Sequence, residues 1–321
     1  MRTAIRAGLA LIITASAGCH ATNAEDFPSR PIILVSTYAA GSGNDIIARA
    51  VGRGMSEVLK QTVVIENRAG ASGTIGLNYV SRSKPDGYTL AMGGIGSVVL
   101  HPAFEGTRET FKPQEALAPV ALVADGSPVL VVNAALGVKT LPELLALARK
   151  QQVTYGSPGV GSSMHFTGEL LKEVAGVPLV HVAYRGQGIV MNDVLAGTIN
   201  FAFLNLPVVI PLLHDSRVRI LAIAAKKRAP QLPDVPTTAE LGYPKVVMQN
   251  WYAIYAPHGT PALIIEKLTK TIQQGMALPA IQNLITTTTG LVPLAEGPEE
   301  LAKQTAEDIA KWKPIADGLR K

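Results

Sequence analysis

Residues 32–66 read IILVSTYAAGSGNDIIARAVGRGMSEVLKQTVVIE, and this stretch decides the fold class. Ile32-Ile33-Leu34-Val35-Ser36 is an apolar run of strand length, as expected for a strand buried on both faces. The glycine loop Ala40-Gly41-Ser42-Gly43 follows. Asn44 or Asp45 can cap the helix after it, whose apolar face is Ile47, Val51, Met55 and Val58. Thr62-Val63-Val64-Ile65-Glu66 is the next strand. A second glycine-rich loop, Asn67 to Gly76, leads into another helix, and Pro85-Asp86-Gly87 turns the chain into a third strand at Thr89-Leu90-Ala91-Met92. A βαβαβ beginning predicts a parallel sheet with helices on both faces.

Outward from this core, the pattern restarts. Val120 to Val132 is β-rich but broken at Gly126 and Pro128, as expected of a strand that crosses between two domains. Leu141-Pro142-Glu143 opens a helix, and Val153-Thr154-Tyr155 is a short strand. A third glycine loop, Gly156 to Ser163, precedes a helix marked by Phe166, Leu170, Leu171 and Val174. Strands follow at Leu179–Val182, Ile199–Leu204 and Arg219–Ala224, with a loop at Tyr184-Arg185-Gly186-Gln187-Gly188. Pro230 to Pro244 reads as a surface connection, and Val246 to Ala256 as a returning strand. Helices close the chain near Ala262–Met276 and Glu299–Leu319. No internal repeat is strong enough to claim.

The N-terminus reads as an export signal. Arg2 and Arg6 precede an apolar run from Ala7 to Ile13, and small residues follow, Ala15-Ser16-Ala17-Gly18. The run is too short for a permanent span. Cleavage can follow Ala17, Ala21 or Ala24; Ala24 is preferred and assigns residues 1–24 to the signal. Ser16-Ala17-Gly18-Cys19 resembles a lipid-attachment site, but Ser16 stands where a large aliphatic residue is normal. Cys19 is the only cysteine, so a chain starting at Glu25-Asp26 depends on its apolar core, not on disulfides. The formal charge of +5 falls to +3 once Arg2 and Arg6 are removed. The densest basic cluster, Lys226-Lys227-Arg228, reads as a solvated turn, and no charged stripe suggests nucleic acid.

Three glycine-rich loops each join a strand to a helix. Helix N-termini present unpaired N–H groups and the positive dipole end, so they bind anions without a charged side chain. At the carboxyl ends of two facing sheets, such loops would share one cleft. Each loop alone also reads as ordinary packing. The spacing of Gly70, Gly73 and Gly76 is not a dinucleotide fingerprint, and no phosphate-binding G-x-x-x-x-G-K-S/T is present. No G-x-S-x-G elbow, H-E-x-x-H or paired-cysteine site appears, and no cofactor is expected.

These residues resemble the substrate-binding proteins of tripartite tricarboxylate transporters, the Bug-type receptors. Ser29-Arg30-Pro31-Ile32 is similar to the family's opening, and Tyr38 to Asp45, with Ala48-Arg49, to its first ligand loop. Glu66 to Gly73 with Gly76 resembles the second loop, and Tyr155 to His165 the third. Pro85 to Leu90, His181 to Gly186, Leu232 to Thr237, and Trp251 with Ala256 to Pro261 complete an ordered series from about Phe27 to the C-terminus. The resemblance implies a type II periplasmic binding-protein fold, two α/β domains that close like a hinged clamp on a carboxylate ligand. The domains expected are 25–125 with 246–321, and 126–245. The chain departs from the family at Ala39-Ala40, where proline is usual, at Ala183, and at Leu204, where amino-acid-binding members often carry Asp. Leu204 therefore argues for a plain carboxylate over an amino acid.

The expected site follows from the loops and the resemblance together. Amides of Gly41, Ser42, Gly43 and Asn44 hold a carboxylate, with Asp45 beside them as cap. Ser157, Ser162 and His165 reach it from the other domain. Tyr38 and Tyr184 wall the cleft, Ala71, Ser72 and Gly94 position waters, and Asn205 takes a polar role. The expected protein is a periplasmic monomer that delivers its solute to membrane permease subunits. Its rivals are a secreted hydrolase or isomerase with Asp45 or His165 as base, and a receptor serving a sensor.

Overall fold

The computed structural model describes residues 27–106 and 110–320; the expected signal segment 1–24, Cys19 and the expected start at Glu25-Asp26 lie outside them. The chain opens with β1 (Ile32–Ser36), α1 (Gly43–Leu59), β2 (Val63–Asn67), α2 (Thr74–Ser81) and β3 (Thr89–Gly94). A helical turn, Gly96–Leu100, runs into α3 (His101–Glu105); α4 (Pro113–Ala116) leads to β4 (Leu117–Asp125). After Gly126-Ser127-Pro128 come β5 (Val129–Asn133), α5 (Leu141–Ala148), β6 (Val153–Ser157), α6 (Ser163–Ala175) and β7 (Leu179–Ala183). Then follow α7 (Gln187–Ala196), β8 (Phe201–Leu204), α8 (Leu206–Val209) and β9 (Val218–Ile223). The return consists of β10 (Tyr252–Pro257), α9 (Ala262–Ala277), α10 (Pro279–Asn283), β11 (Val292–Glu296) and α11 (Pro298–Leu319).

The strands form two sheets, ordered β11-β4-β10-β3-β1-β2 and β7-β6-β8-β5-β9. β1 pairs in parallel with β2 and β3, as the opening βαβαβ pattern requires. The sheets are mixed, however: β10 is antiparallel to both β3 and β4, and β5 to both β8 and β9. The cause is the double crossing. β4 leaves the first sheet toward the second, and the chain re-enters as β10 from the opposite direction.

The return strand is shorter than expected. Residues 246–251 are not in a strand, and β10 begins only at Tyr252. Between the sheets this stretch bonds only at points, Met248 N–H to Ala224 O at 2.9 Å and Asn250 N–H to Gly126 O at 2.7 Å. A segment changing sheets has no continuous ladder beside it.

Side-chain alternation distributes the core. Ile32 and Leu34 of β1 pack with Ile47, Val51 and Met55 of α1 and Leu268 and Ile272 of α9. Val35 faces the other way, into a cluster that contains Leu130 and Val132 of β5 as well as Trp312 of α11. Val129 and Val131 point to the far side of the second sheet, against Val190 and Val194 of α7. Period-two alternation thus covers both faces of each sheet. The helix α11 ties the two lobes together: Trp312 meets the Phe166 ring edge-on at 6.1 Å, and Asp308 accepts the indole N–H of Trp251 at 2.7 Å. Among the described residues no helix is long and apolar enough to cross a membrane.

Candidate ligand-binding cleft

Two helices begin with the same device. Gly41 adopts φ +77° and Gly161 φ +80°, a left-handed conformation that glycine enters without a Cβ penalty. The serine after each is the N-cap, so α1 is capped by Ser42 and not by Asn44 or Asp45 as expected, which lie inside the helix: Ser42 Oγ accepts the Asp45 N–H at 3.2 Å, and Ser162 Oγ accepts the His165 N–H at 3.3 Å. The third helical residue then reaches back. Asp45 Oδ2 accepts the Gly41 N–H at 3.0 Å, and His165 Nδ1 accepts the Gly161 N–H at 3.2 Å. This reciprocal cap uses up the donors around it. The N–H groups of Gly43 and Asn44 on α1, and of Ser163 and Met164 on α6, have no acceptor within their helices. A third start, at α7, is capped by Gly186 without a side-chain bond, so its first amides are also free of helical partners.

These starts converge on one narrow cleft between the lobes. The first lobe supplies Tyr38, Asn44, Gly94, Gly96 and Tyr252; the second supplies Pro158, Ser163, Met164, Gln187 and Asn205. Asn250 and Trp251 of the return segment form the back. No lining side chain carries a formal charge. The lobes are in contact across the gap: Ser72 Oγ donates to Val160 O at 2.6 Å, and Asn205 Nδ2 to the Tyr252 hydroxyl at 2.6 Å.

Of the residues expected from sequence, Tyr38, Asn44, Gly94 and Asn205 lie on the cleft wall. Gly43 stands at its edge, where a Cβ would come within 2.7 Å of the Tyr252 hydroxyl. Asn44 holds its loop shut: its Oδ1 accepts from Ser36 Oγ and Thr37 N–H, and its Nδ2 donates to Met92 O. Gly41, Ser42 and Asp45 form the cap behind that wall. Ala71 and Ser72, at φ 45° and 49°, make the second loop's turn, and Ser72 O accepts the Tyr38 hydroxyl at 2.6 Å.

The remaining expected residues stand off the wall. Ser157 is wholly buried, with Oγ 2.6 Å from His181 Nε2 and bonded to Gly159 O at 3.0 Å. Ser162 and His165 are committed to the α6 cap. The Tyr184 hydroxyl donates to Asp193 Oδ2 at 2.6 Å, and burial together with that carboxylate pushes its pKa up to about 12. Leu204 packs in the apolar cluster with Val129, Val131 and Ile223, so its side chain carries no argument about the ligand. Sequence reading missed Gly96, Pro158, Ser163, Met164, Gln187, Asn250, Trp251 and Tyr252. No local signal marked Gln187, since Gly186 caps α7 without a side-chain bond, and Tyr252 sat inside a run that read only as strand.

The titratable groups near the cleft are already engaged. Burial alone would raise the Asp45 carboxyl, but bonds from Arg49, Gly41 and Asn67, with the Arg49 charge, outweigh it and hold the group below the usual carboxylate range. Arg49 approaches through Nε at 3.1 Å and Nη2 at 3.0 Å, and Asn67 Nδ2 at 2.8 Å. Burial, and then the neighbouring His181 ring at 4.3 Å, push His165 down to about 4. Its Nδ1 accepts a hydrogen bond, which requires the neutral ring protonated on Nε2. Asp45 and His165, the two bases the rival reading needs, are thus both spent on helix caps. Among the described residues no cluster of three potential metal ligands occurs. The arrangement can hold an anion by main-chain donors; it presents no activated base to it.

A two-lobed α/β fold with helix starts aimed into a shared, uncharged gap defines the class of periplasmic-type solute-binding proteins. The chain belongs to the tripartite tricarboxylate transporter family receptors, whose family model matches residues 47–320. It is 33% identical to protein BugT of Bordetella pertussis over 94% of this chain and 93% of that one. The solved periplasmic binding protein BugD superposes with a TM-score of 0.86 at 30% identity, covering 91% of this chain and 98% of that chain. An R. palustris protein solved with adipate gives 0.87 at 31% identity, covering 91% and 98%.

Proposed function

We propose that this protein is a periplasmic receptor that captures a small carboxylate and hands it to membrane permease subunits, without catalysing a reaction. The observation that carries the reading is the pairing of the α1 and α6 starts across a cleft with no charged lining. Amides of Gly43 and Asn44 on one side, and of Ser163 and Met164 on the other, offer donors and dipole ends to one anionic group. No carboxylate lines the cleft to match an ammonium, so a plain carboxylate suits it better than an amino acid. The adipate seen in a relative of similar fold agrees in chemistry.

In this reading residues 1–24 are removed on export and the protein acts as a monomer, without cofactor. The lobes divide as 25–125 with 246–321, and 126–245, and hinge at the crossings. Thermal-shift titration with adipate, succinate, malate and glutamate tests the reading. At a ligand concentration of about 100 Kd, binding to the folded state alone adds about 2.7 kcal/mol and raises Tm by roughly 5 °C. Flat melting curves with every carboxylate, together with turnover of an ester or amide, would refute it.

A further inference from the structure

A chain of buried polar side chains crosses the floor of the cleft. Ser163 Oγ donates to Asn250 Oδ1 at 2.8 Å. Asn250 Nδ2 donates to Asn205 Oδ1 at 3.0 Å and reaches the Tyr252 hydroxyl at 3.2 Å. Asn205 Nδ2 donates to that hydroxyl at 2.6 Å. The backbone N–H of Asn205 is held in turn by Gln187 Oε1 at 2.8 Å. Ser163, Asn205 and Tyr252 are each 3% exposed and Asn250 7%.

The chain has a direction. Each amide oxygen already accepts, so each amide nitrogen faces onward, and both nitrogens end on Tyr252. A phenolic hydroxyl has one proton and two lone pairs. Two amide donors take the lone pairs. The proton is left to give away, and among the described residues no protein atom receives it. Burial pushes this hydroxyl far above the ordinary tyrosine range, so the proton stays on.

We propose that Tyr252 is a specificity-determining residue whose hydroxyl donates its proton to an acceptor oxygen of the bound ligand, in a polarity set by Ser163, Asn250 and Asn205. The proposal rests on the carboxylate reading above and sharpens it. A carboxylate, hydroxyl or carbonyl oxygen completes the chain; an ammonium meets a hydroxyl whose lone pairs are taken. Asn205 directly follows β8 of one sheet and Tyr252 begins β10 in the other, so the donor is aimed only when the lobes are shut. The contact also explains Gly43. A Cβ there would lie 2.7 Å from the Tyr252 hydroxyl and 3.2 Å from Asn205 Nδ2. The first contact leaves no room for a methyl group unless the hydroxyl moves.

The test is calorimetric titration of adipate and succinate into the purified protein and three variants. Tyr252→Phe removes the donor and keeps the ring. It should melt within about 2 °C of the parent without ligand and bind roughly 10- to 100-fold more weakly, the loss expected for a hydrogen bond to a charged acceptor. Gly43→Ala keeps the hydroxyl but displaces it, and should weaken binding to a similar extent; it carries the test if Tyr252→Phe does not fold. Ser163→Ala should lose less than Tyr252→Phe. Binding by Tyr252→Phe within twofold of the parent overturns the proposal. So does a large loss in Ser163→Ala with little in Tyr252→Phe, which would mean that the chain runs the other way. A parent protein that binds neither diacid sinks the carboxylate reading itself, and the assignment with it.

Discussion

Replacing Asp45 by alanine separates a structural from a catalytic role for the acidic residue nearest the cleft. Its carboxylate is 2% exposed as a residue and accepts from the Gly41 N–H, two nitrogens of Arg49 and Asn67 Nδ2. The Arg49 side chain is 55% exposed, so water can replace most of what it loses, and that pair counts for about 0.5 kcal/mol. Each of the other two bonds, made to a charged acceptor, is worth about 1 kcal/mol after solvent takes over part of the donors. The expected cost is therefore about 2–3 kcal/mol. With a urea m-value of about 3 kcal/mol/M for a chain of this size, the denaturation midpoint should fall by roughly 0.7–1 M at unchanged m. Because the carboxyl is held below its ordinary pKa, its contribution is present at neutral pH and fades as pH falls through the depressed folded-state value. The parent should thus lose stability in acid more steeply than Asp45→Ala. A midpoint shift under about 0.2 M would refute the reasoning, since it would mean that the cap bonds carry no net weight.

Three further outcomes follow from the same geometry. The buried His165 and His181 are held neutral with pKa values lowered to about 4, so the unfolded chain binds more protons between about pH 6.5 and 4, and stability should fall across that window; nitrogen NMR should show His165 protonated on Nε2 at neutral pH, and a protonated Nδ1 would contradict the Gly161 contact. Ser72→Ala removes the 2.6 Å bond to Val160 across the gap and should cost about 1 kcal/mol of the closed state, read as roughly fivefold weaker adipate binding with little change in unliganded Tm. Gly275→Val should drive α9 off α1, because a Cβ at Gly275 already meets the Gly54 backbone at 2.7 Å; a loss of about 2–3 kcal/mol in urea denaturation is expected, and an unchanged midpoint would contradict the close helix contact.

Much of the architecture was legible from local pattern. β1 runs over Ile32–Ser36 as read, and the break at Gly126 and Pro128 separates β4 from β5. The final helices lie within a residue of their expected limits, Ala262–Ala277 and Pro298–Leu319. Apolar periodicity and turn residues carry such signals because they act over a few neighbours. What failed was long-range. Residues 246–251 are as apolar as a strand, yet they lie where the chain changes sheets and finds no continuous ladder. β11 and α7 were not anticipated at all; α7 starts at a glycine cap with no side-chain signal.

The site divides in the same way. The residues Gly41-Ser42-Gly43-Asn44 and Gly161-Ser162-Ser163 determined by themselves that two helices would begin with free amides, because capping is a matter of three or four consecutive residues. Only the tertiary structure decided which of those residues face the cleft. It turned Asp45, His165 and Ser162 into cap partners and set Leu204 in the core. It brought Tyr252, Asn205, Asn250 and Ser163, far apart in the chain, within hydrogen-bonding distance. A cap is a contact between neighbours and is written in order along the sequence; a cleft is a contact between lobes, and its members meet only when both sheets have formed and closed.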